Sequence, residues 1–330
     1  MATDSLWQEA LNPQARVAVI GECMLELSMN DSLSQPHSLS ANISYGGDTL
    51  NSAIYMSRLG LNVDYVTALG DDSYSDWMIR QWQAEGIGCG LVYRYRSSLP
   101  GLYAIENDDS GERYFHYWRS QAPVKQLLAT EERRETLFAE LQAYDFIYFS
   151  GITLSLFRDN ELESLFDFLQ TFCEQGGVIA FDSNFRPKQW PEYERARYWF
   201  SKAYQLSRIA LPTLDDELAL YPKQVDQEAI ERLKRGERKE LIVKKGAEGC
   251  LAFWLDQQRD CRIEEKVSLV DTTAAGDSFN AAYIAARCQG ADPVQACRDA
   301  QRLAAQVVQH RGAILPLEKM PSGAAYEREF

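Results

Sequence analysis

The sequence predicts an α/β fold: a mainly parallel central sheet with helices on both faces, plus a small β-sheet lid. Three observations carry this. Short apolar runs alternate with helix-like stretches along most of the chain, which implies a parallel sheet covered on both sides. The stretch 92–119 breaks that rhythm with alternating aromatics, the composition of an antiparallel hairpin with one open face. No internal repeat or low-complexity linker divides the chain, so residues 1–330 read as one domain. The lid strands would come from about 23–45 and 90–119.

Arg16-Val17-Ala18-Val19-Ile20-Gly21 is an apolar run ending in glycine, as in a buried parallel strand. The next residues, 22–28, alternate and suit a half-exposed strand. No G-x-G-x-x-G follows, which sets aside a dinucleotide fingerprint. Tyr45-Gly46-Gly47-Asp48-Thr49-Leu50-Asn51 leads into a helix over 53–59. A strand at 63–69 precedes a helix at 75–86 with Trp77, Ile79 and Trp82 on its apolar side. In the lid, Tyr93, Tyr95, Tyr103, Tyr114 and Tyr117 alternate around a turn at 107–111. Beyond Asp145 come strands at 146–149, 178–182 and 208–211, with a helix at 160–174 between the first two. The strands 241–244 and 250–254 flank a glycine-bearing turn, and 267–270 reads as a further strand. Helices at 276–287 and from Asp292-Pro293-Val294-Gln295 onward close the chain; the latter opens with a cap, a proline at N1 and Gln at N3.

A chain of 330 residues, 45% hydrophobic, can bury one large core or two smaller ones. No apolar run reaches membrane-span length, and Met1 to Asn12 lacks the basic-then-apolar order of a signal peptide. Seven scattered cysteines without a CxxC pair fit a reducing cytoplasm, and three histidines form no transition-metal cluster. A net charge of −14 argues against nucleic-acid binding. An anionic substrate would have to be drawn in by local positive groups.

The chemistry is expected at Asp271-Thr272-Thr273-Ala274-Ala275-Gly276-Asp277. Small side chains at Ala274, Ala275 and Gly276 let the backbone approach a ligand. A helix start adds free N–H donors and a partial positive charge, giving an anion site suited to a phosphoryl group. Asp277 beside it is either a helix cap or a base that takes a proton from a substrate hydroxyl. At the other end of the chain, Asp48 and Asn51 share one helix face, where they suit a polyol's hydroxyls. Asp48 capping a plain Gly-Gly turn is the competing account.

These two stretches, in this order, resemble the C-terminal and N-terminal signatures of the ribokinase-like (PfkB) carbohydrate kinases. Ala274 stands where the family usually has glycine, which implies a φ that alanine tolerates or an altered loop. The resemblance implies ATP and Mg²⁺ as co-substrate and cofactor, with Asp277 as base and the backbone of Ala274, Ala275 and Gly276 as anion hole. It places Gly46, Gly47, Asp48 and Asn51 at the sugar. It makes Lys244, Lys245, Gly246 and Gly249 a nucleotide-contacting loop, joined by Asn184, Arg186, Ala275 and Gly276. Where the family organises Mg²⁺ with Asn-x-x-Glu, this chain has Thr213 and Asp216, so Asp216 is an indirect metal candidate; three acids at a helix start are equally dipole complements.

Arginines bear on the substrate class. A guanidinium grips a carboxylate with two bonds, which a neutral sugar does not need. Gly101-Leu102-Tyr103, Tyr117-Trp118-Arg119 and Asn184-Phe185-Arg186 resemble the substrate-acid set of the 2-keto-3-deoxygluconate kinase subfamily. That implies contacts from Tyr103, Tyr117, Arg119 and Arg186 to a sugar acid, and a homodimer through the lid. A neutral-sugar kinase, such as a fructokinase or ribokinase, is the nearest alternative; a non-catalytic sugar or nucleotide sensor is the more distant one.

Overall fold

The computed structural model describes residues 14–29, 40–107, 113–235, 240–263 and 267–321. Nine strands form the main sheet in the order β13-β12-β11-β10-β9-β8-β1-β4-β5. These are β1 (Arg16–Ile20), β4 (Asn62–Gly70), β5 (Val92–Tyr95), β8 (Phe146–Ser150), β9 (Val178–Asp182), β10 (Ile209–Ala210), β11 (Glu240–Lys244), β12 (Cys250–Trp254) and β13 (Gln257–Cys261). The strands from β5 to β11 run parallel, and β12 and β13 turn back antiparallel at one edge.

β1 shows why helices cover both faces. Val17 and Val19 enter one core cluster, while Ala18 and Ile20 enter the other. The first cluster takes α1 (Asp48–Arg58), α2 (Ser73–Ala84), α9 (Ala275–Cys288) and α10 (Pro293–Val307). The second takes α3 (Glu131–Leu141), α4 (Gly151–Ser155), α5 (Asp159–Glu174), α6 (Tyr193–Leu206), α7 (Leu214–Leu220) and α8 (Asp226–Lys234). Asp292 caps α10 by accepting from the N–H groups of Val294 and Gln295, as the sequence implied. Among the described residues no helix is long and apolar enough to cross a membrane.

A second sheet of four strands has the order β3-β2-β6-β7, from β2 (Met24–Met29), β3 (Ala41–Gly46), β6 (Leu102–Asn107) and β7 (Arg113–Trp118). The β2–β6 pair is parallel, which the hairpin reading did not anticipate. The strand at 92–95 does not belong to this sheet. It pairs parallel with β4, placing Val92 beside Thr67, because buried Val92 completes the main core. The lid contribution expected from 90–119 therefore narrows to β6 and β7, and the turn expected at 107–111 lies largely outside the described residues.

Two further expectations change. The helix expected at 53–59 begins at Asp48, with extended Gly47 as its N-cap and no side-chain cap. The strand expected at 267–270 is not a strand: Leu269 and Val270 are exposed, and the N–H groups of Val270 and Asp271 donate to Val308 at the end of α10. An apolar run had suggested a buried strand, but no neighbouring strand pairs with it.

Candidate active site

Parallel strands deliver their loops to one end of a sheet, and ligands bind there. Gly21-Glu22 follows β1, Ser150 ends β8, Asp182 ends β9 with Ser183-Asn184 after it, and Lys244 ends β11. All of these residues converge with the starts of α1 and α9.

Asp277 lies in the first turn of α9 and is buried. Asn51 Nδ2 donates to its Oδ2 at 2.8 Å, and Ser52 Oγ donates to its backbone carbonyl at 3.1 Å. Oδ1 is left without a protein donor among the described residues. Burial, then the carboxylates of Asp48 and Asp182, push the Asp277 carboxyl up to about 8, against the opposing effects of Asn51 and Lys244. A helix cap would instead accept from its own N-terminal N–H groups. The geometry separates Asp277 from that role.

The helix start above it is open. Ser278 N–H donates to the Ala274 carbonyl and Ala275 N–H to Thr272. The N–H groups of Gly276 and Asp277 have no intrahelical acceptor. A Cβ built at Gly276 would meet only Lys244 Nζ, at 3.7 Å, so this glycine leaves space rather than filling a contact. Lys244 is buried, and its ammonium donates to Asp182 at 2.9 Å and Asn280 at 3.0 Å. Asn280 in turn donates to Tyr148 and to the second Asp182 oxygen. The lysine is therefore held beside Gly276 by a buried network that takes two of its three N–H donors and leaves the third. Lys245 instead pairs with Glu248 at 2.7 Å, on a turn whose Gly246 and Gly249 both have positive φ.

Ala274 itself takes φ 59° and ψ 14°, the left-handed region. That conformation costs alanine about 1–2 kcal/mol. Its methyl is buried in the core, which returns about 0.8 kcal/mol, and alanine loses less backbone entropy than glycine on folding. These terms nearly cancel, which explains how alanine stands here. Ala274→Gly is therefore expected to stay within about 1 kcal/mol of the parent in urea unfolding. Ala274→Val, β-branched at positive φ, should lose at least about 2 kcal/mol. A well-tolerated valine would show that the loop relaxes freely.

At the start of α1, Asp48 accepts from Ser150 Oγ at 2.5 Å and Asn184 Nδ2 at 2.8 Å. Burial raises the Asp48 carboxyl, helped by Asp182. Asn184, expected at the nucleotide, thus reaches Asp48; its φ of 30° is a second strained position. Gly47 is required by the protein itself, since a Cβ there would meet the Glu22 carbonyl at 2.1 Å. A Cβ at Gly46 would meet only the tip of a side chain, the Tyr103 hydroxyl, and Tyr103 bonds Glu26. Tyr103 and Tyr117 lie 6.0 Å apart, and the charges of both Arg119 and Arg186 reach the Tyr117 phenol.

Arg119 forms an ion pair with Glu22, which is 3% exposed. Apart from that contact, neither Glu22 oxygen has a donor among the described residues. Burial raises the Glu22 carboxyl, while Arg119 and Lys125 oppose the shift. Sequence reasoning missed Glu22, Asp182 and Asn280 as site residues. The signal for Glu22 was its place directly after the glycine that ends β1. Asp216, the metal candidate, accepts from Ser183 Oγ and Phe185 N–H at 3.2 Å and lies 3.6 Å from Arg186. Burial lifts its carboxyl to about 6, with Arg186 pulling the other way.

A cleft of 1510 Å³ runs along the small sheet, lined by Leu102, Tyr117, Arg119, Lys125 and Lys188 among others. Its wall carries three cationic side chains and no carboxylate. Asp277 is not on that wall; the Asp48 charge acts on both Glu22 and Asp277.

Comparison with known proteins agrees with this geometry. The profile of the pfkB family carbohydrate kinases matches residues 14–320. The chain is 39% identical over 316 residues to the 2-dehydro-3-deoxygluconokinase of Dickeya dadantii (strain 3937), covering 93% of this chain and 98% of that one. The Escherichia coli (strain K12) protein of the same name is also 39% identical, with 93% and 99% covered. Among solved structures, a putative ribokinase II from E. coli in complex with ATP and Mg²⁺ superposes with a TM-score of 0.77 at 24% identity, covering 91% of this chain and 94% of that one. At that identity the likeness speaks for the fold. With a family profile spanning almost all of the described chain and both signatures meeting at one site, the chain belongs to the pfkB family of carbohydrate kinases.

Proposed function

We propose that this kinase transfers the γ-phosphoryl group of ATP to the terminal hydroxyl of 2-keto-3-deoxy-D-gluconate, giving the 6-phosphate. The observation that carries the substrate class is the cleft wall, cationic and free of carboxylates in a chain of net charge −14. A neutral sugar gains nothing from such a wall, whereas a sugar acid does. The relatives named 2-dehydro-3-deoxygluconokinase support the same reading.

Asp277 Oδ1 accepts the hydroxyl proton as the hydroxyl oxygen bonds to the γ-phosphorus and the bond to the leaving ADP breaks. Asn51 fixes the other carboxylate oxygen, so the free one is aimed. The Gly276 and Asp277 N–H groups and the Lys244 ammonium face the charge that builds on the transferring group. The turn at Lys245, Gly246 and Gly249, with Arg186, flanks the nucleotide. Gly46, Gly47, Asp48, Tyr103 and Tyr117 shape the sugar pocket, and Arg119 meets the carboxylate. Mg²⁺ is commonly held by one or two carboxylates together with substrate phosphates, whose charge it neutralises. Asp216 Oδ1, whose nearest partner is the half-exposed Arg186 at 3.6 Å, fits the role of an indirect contact.

A coupled ADP-release assay over sugar acids and neutral ketoses tests the reading. Turnover is expected with 2-keto-3-deoxygluconate and little with fructose or ribose; the reverse order would favour the neutral-sugar alternative.

The working unit is a homodimer in a reducing cytoplasm. On the small sheet, Leu102 pairs with both Leu25 and Trp118, and Leu27 pairs with Ile43, so these side chains share one face. Ile43 is 48% exposed and Trp118 61%. Four strands cannot cover both of their faces; these side chains also line the cleft, so a second copy laid on this face covers them and closes over the cleft. Sedimentation at micromolar concentration is expected to show a dimer, and Trp118→Glu a monomer. A fully active parent monomer would refute the assembly.

A further inference from the structure

Outside the proposed active site, three cysteines from three elements meet. Cys250 opens β12, Cys261 closes β13, and the two are direct partners across the antiparallel pair. Cys297 reaches them from α10, which packs on both strands. Their sulfur atoms all lie within 4.8 Å of one another, and all three thiols are free and buried. Gln301, one helical turn beyond Cys297, donates Nε2 to the Cys261 carbonyl at 2.6 Å and to Cys250 Sγ at 3.7 Å.

We propose that Cys250, Cys261 and Cys297 form a binding site for a soft, thiophilic d¹⁰ metal ion. Three thiolates around one ion, at about 2.3 Å each, stand about 4 Å from one another. The observed cluster needs only a small contraction to reach that. A disulfide would need a much closer approach of two sulfurs and would strand the third. The donor set contains no imidazole and no carboxylate, which selects Cu⁺ or Zn²⁺ over Mg²⁺ or Ca²⁺. The Gln301 amide donates toward sulfur and so offsets thiolate charge in a buried place. On binding, each thiol releases its proton to solvent and gives a sulfur lone pair to the ion; no electron is transferred.

The position gives the site a structural effect. Cys250 directly follows the Lys245–Gly249 turn, and α10 ends at the Val308 carbonyl that holds Val270 and Asp271. An ion on three sulfurs would fasten the β12–β13 hairpin to α10, under both segments that flank the anion site. This does not depend on which sugar is phosphorylated.

The test loads the reduced full-length protein anaerobically with Cu⁺, and separately with Zn²⁺ or its spectroscopic stand-in Co²⁺. One equivalent of either ion is expected to survive competition with a chelator and to raise Tm. X-ray absorption of the loaded protein should count three sulfur neighbours. Cys297→Ala should lose the bound equivalent, with circular dichroism checking that the variant is folded. Absence of stoichiometric binding by both ions overturns the site and leaves three thiols packed as small core residues. Fewer than three sulfur neighbours in the parent protein overturns it as well, whether or not the variants fold.

Discussion

Asp277→Asn is expected to lower kcat by about 10²–10⁴-fold, the usual worth of a general base, and at the same time to make the protein more stable. Asparagine can still accept from Asn51 through its amide oxygen but cannot take a proton. Substrate binding, measured by calorimetry, should change little. The stability gain follows from the raised carboxyl. Its folded value of about 8 lies above the ordinary 3.8. Between those values the native state binds more protons than the unfolded chain, so this group's contribution is full at low pH and is lost as pH rises toward 8. The variant's advantage in Tm should therefore grow over the same window. In the parent, kcat/KM should climb with pH, reach half its plateau near 8 and level off above that, as the base of the free enzyme ionises. An asparagine variant with near-parental turnover, or a flat parental profile across this range, would remove Asp277 from the chemistry.

Arg119→Ala should raise KM for the sugar acid by about ten- to a hundredfold. A charge-assisted bond to a carboxylate is worth about 1.5–3 kcal/mol, and 1.4 kcal/mol is a decade. The structure adds a second effect, because the same substitution strands the buried Glu22 carboxyl. Breaking a buried pair in this way costs about 3–5 kcal/mol of stability, so Tm should fall too. Comparing the acid with a neutral ketose of equal length separates the two effects. Lost stability affects both substrates alike, whereas the lost grip affects only the acid. Lys at 119 should recover part of the affinity, keeping charge but not the fork. Equal losses on both substrates would make Arg119 a structural partner of Glu22 and move the neutral-sugar reading ahead.

What could be read from the sequence follows from which signals are local. The α9 start and the Asp292-Pro293 opening of α10 were legible because turn and cap chemistry depend on a few adjacent residues. Helix α3 was not drawn, since only Leu137 and Leu141 are buried along it and its pattern is nearly all polar. Strand β13 escaped for the same reason: Gln257, Gln258, Arg259 and Asp260 are all exposed on the sheet edge. Trp82 was placed correctly on the apolar side of α2, but buried Met78 was overlooked while Trp77 and Ile79 are only partly covered. In the site, residues inside signatures could be named, but their partners could not. That Asn184 serves Asp48, that Lys244 is locked by Asp182 and Asn280, and that Arg119 answers Glu22 are consequences of burial between distant segments.

The strand order has a consequence for how the chain is made. Val17 of β1 pairs with Phe146 of β8, so the middle of the sheet joins a strand from the very start of the described chain to one much later. At synthesis rates of about 5–20 residues per second, the first strand waits on the order of ten seconds for that neighbour. Meanwhile β1 has only β4 to pair with, and its apolar side chains bound for the second core stay uncovered. Asp271 to Asp277 emerges later still. A half-made chain can therefore hold much of its sheet without the proposed base, and the emerging N-terminal third is where a chaperone would have most to protect.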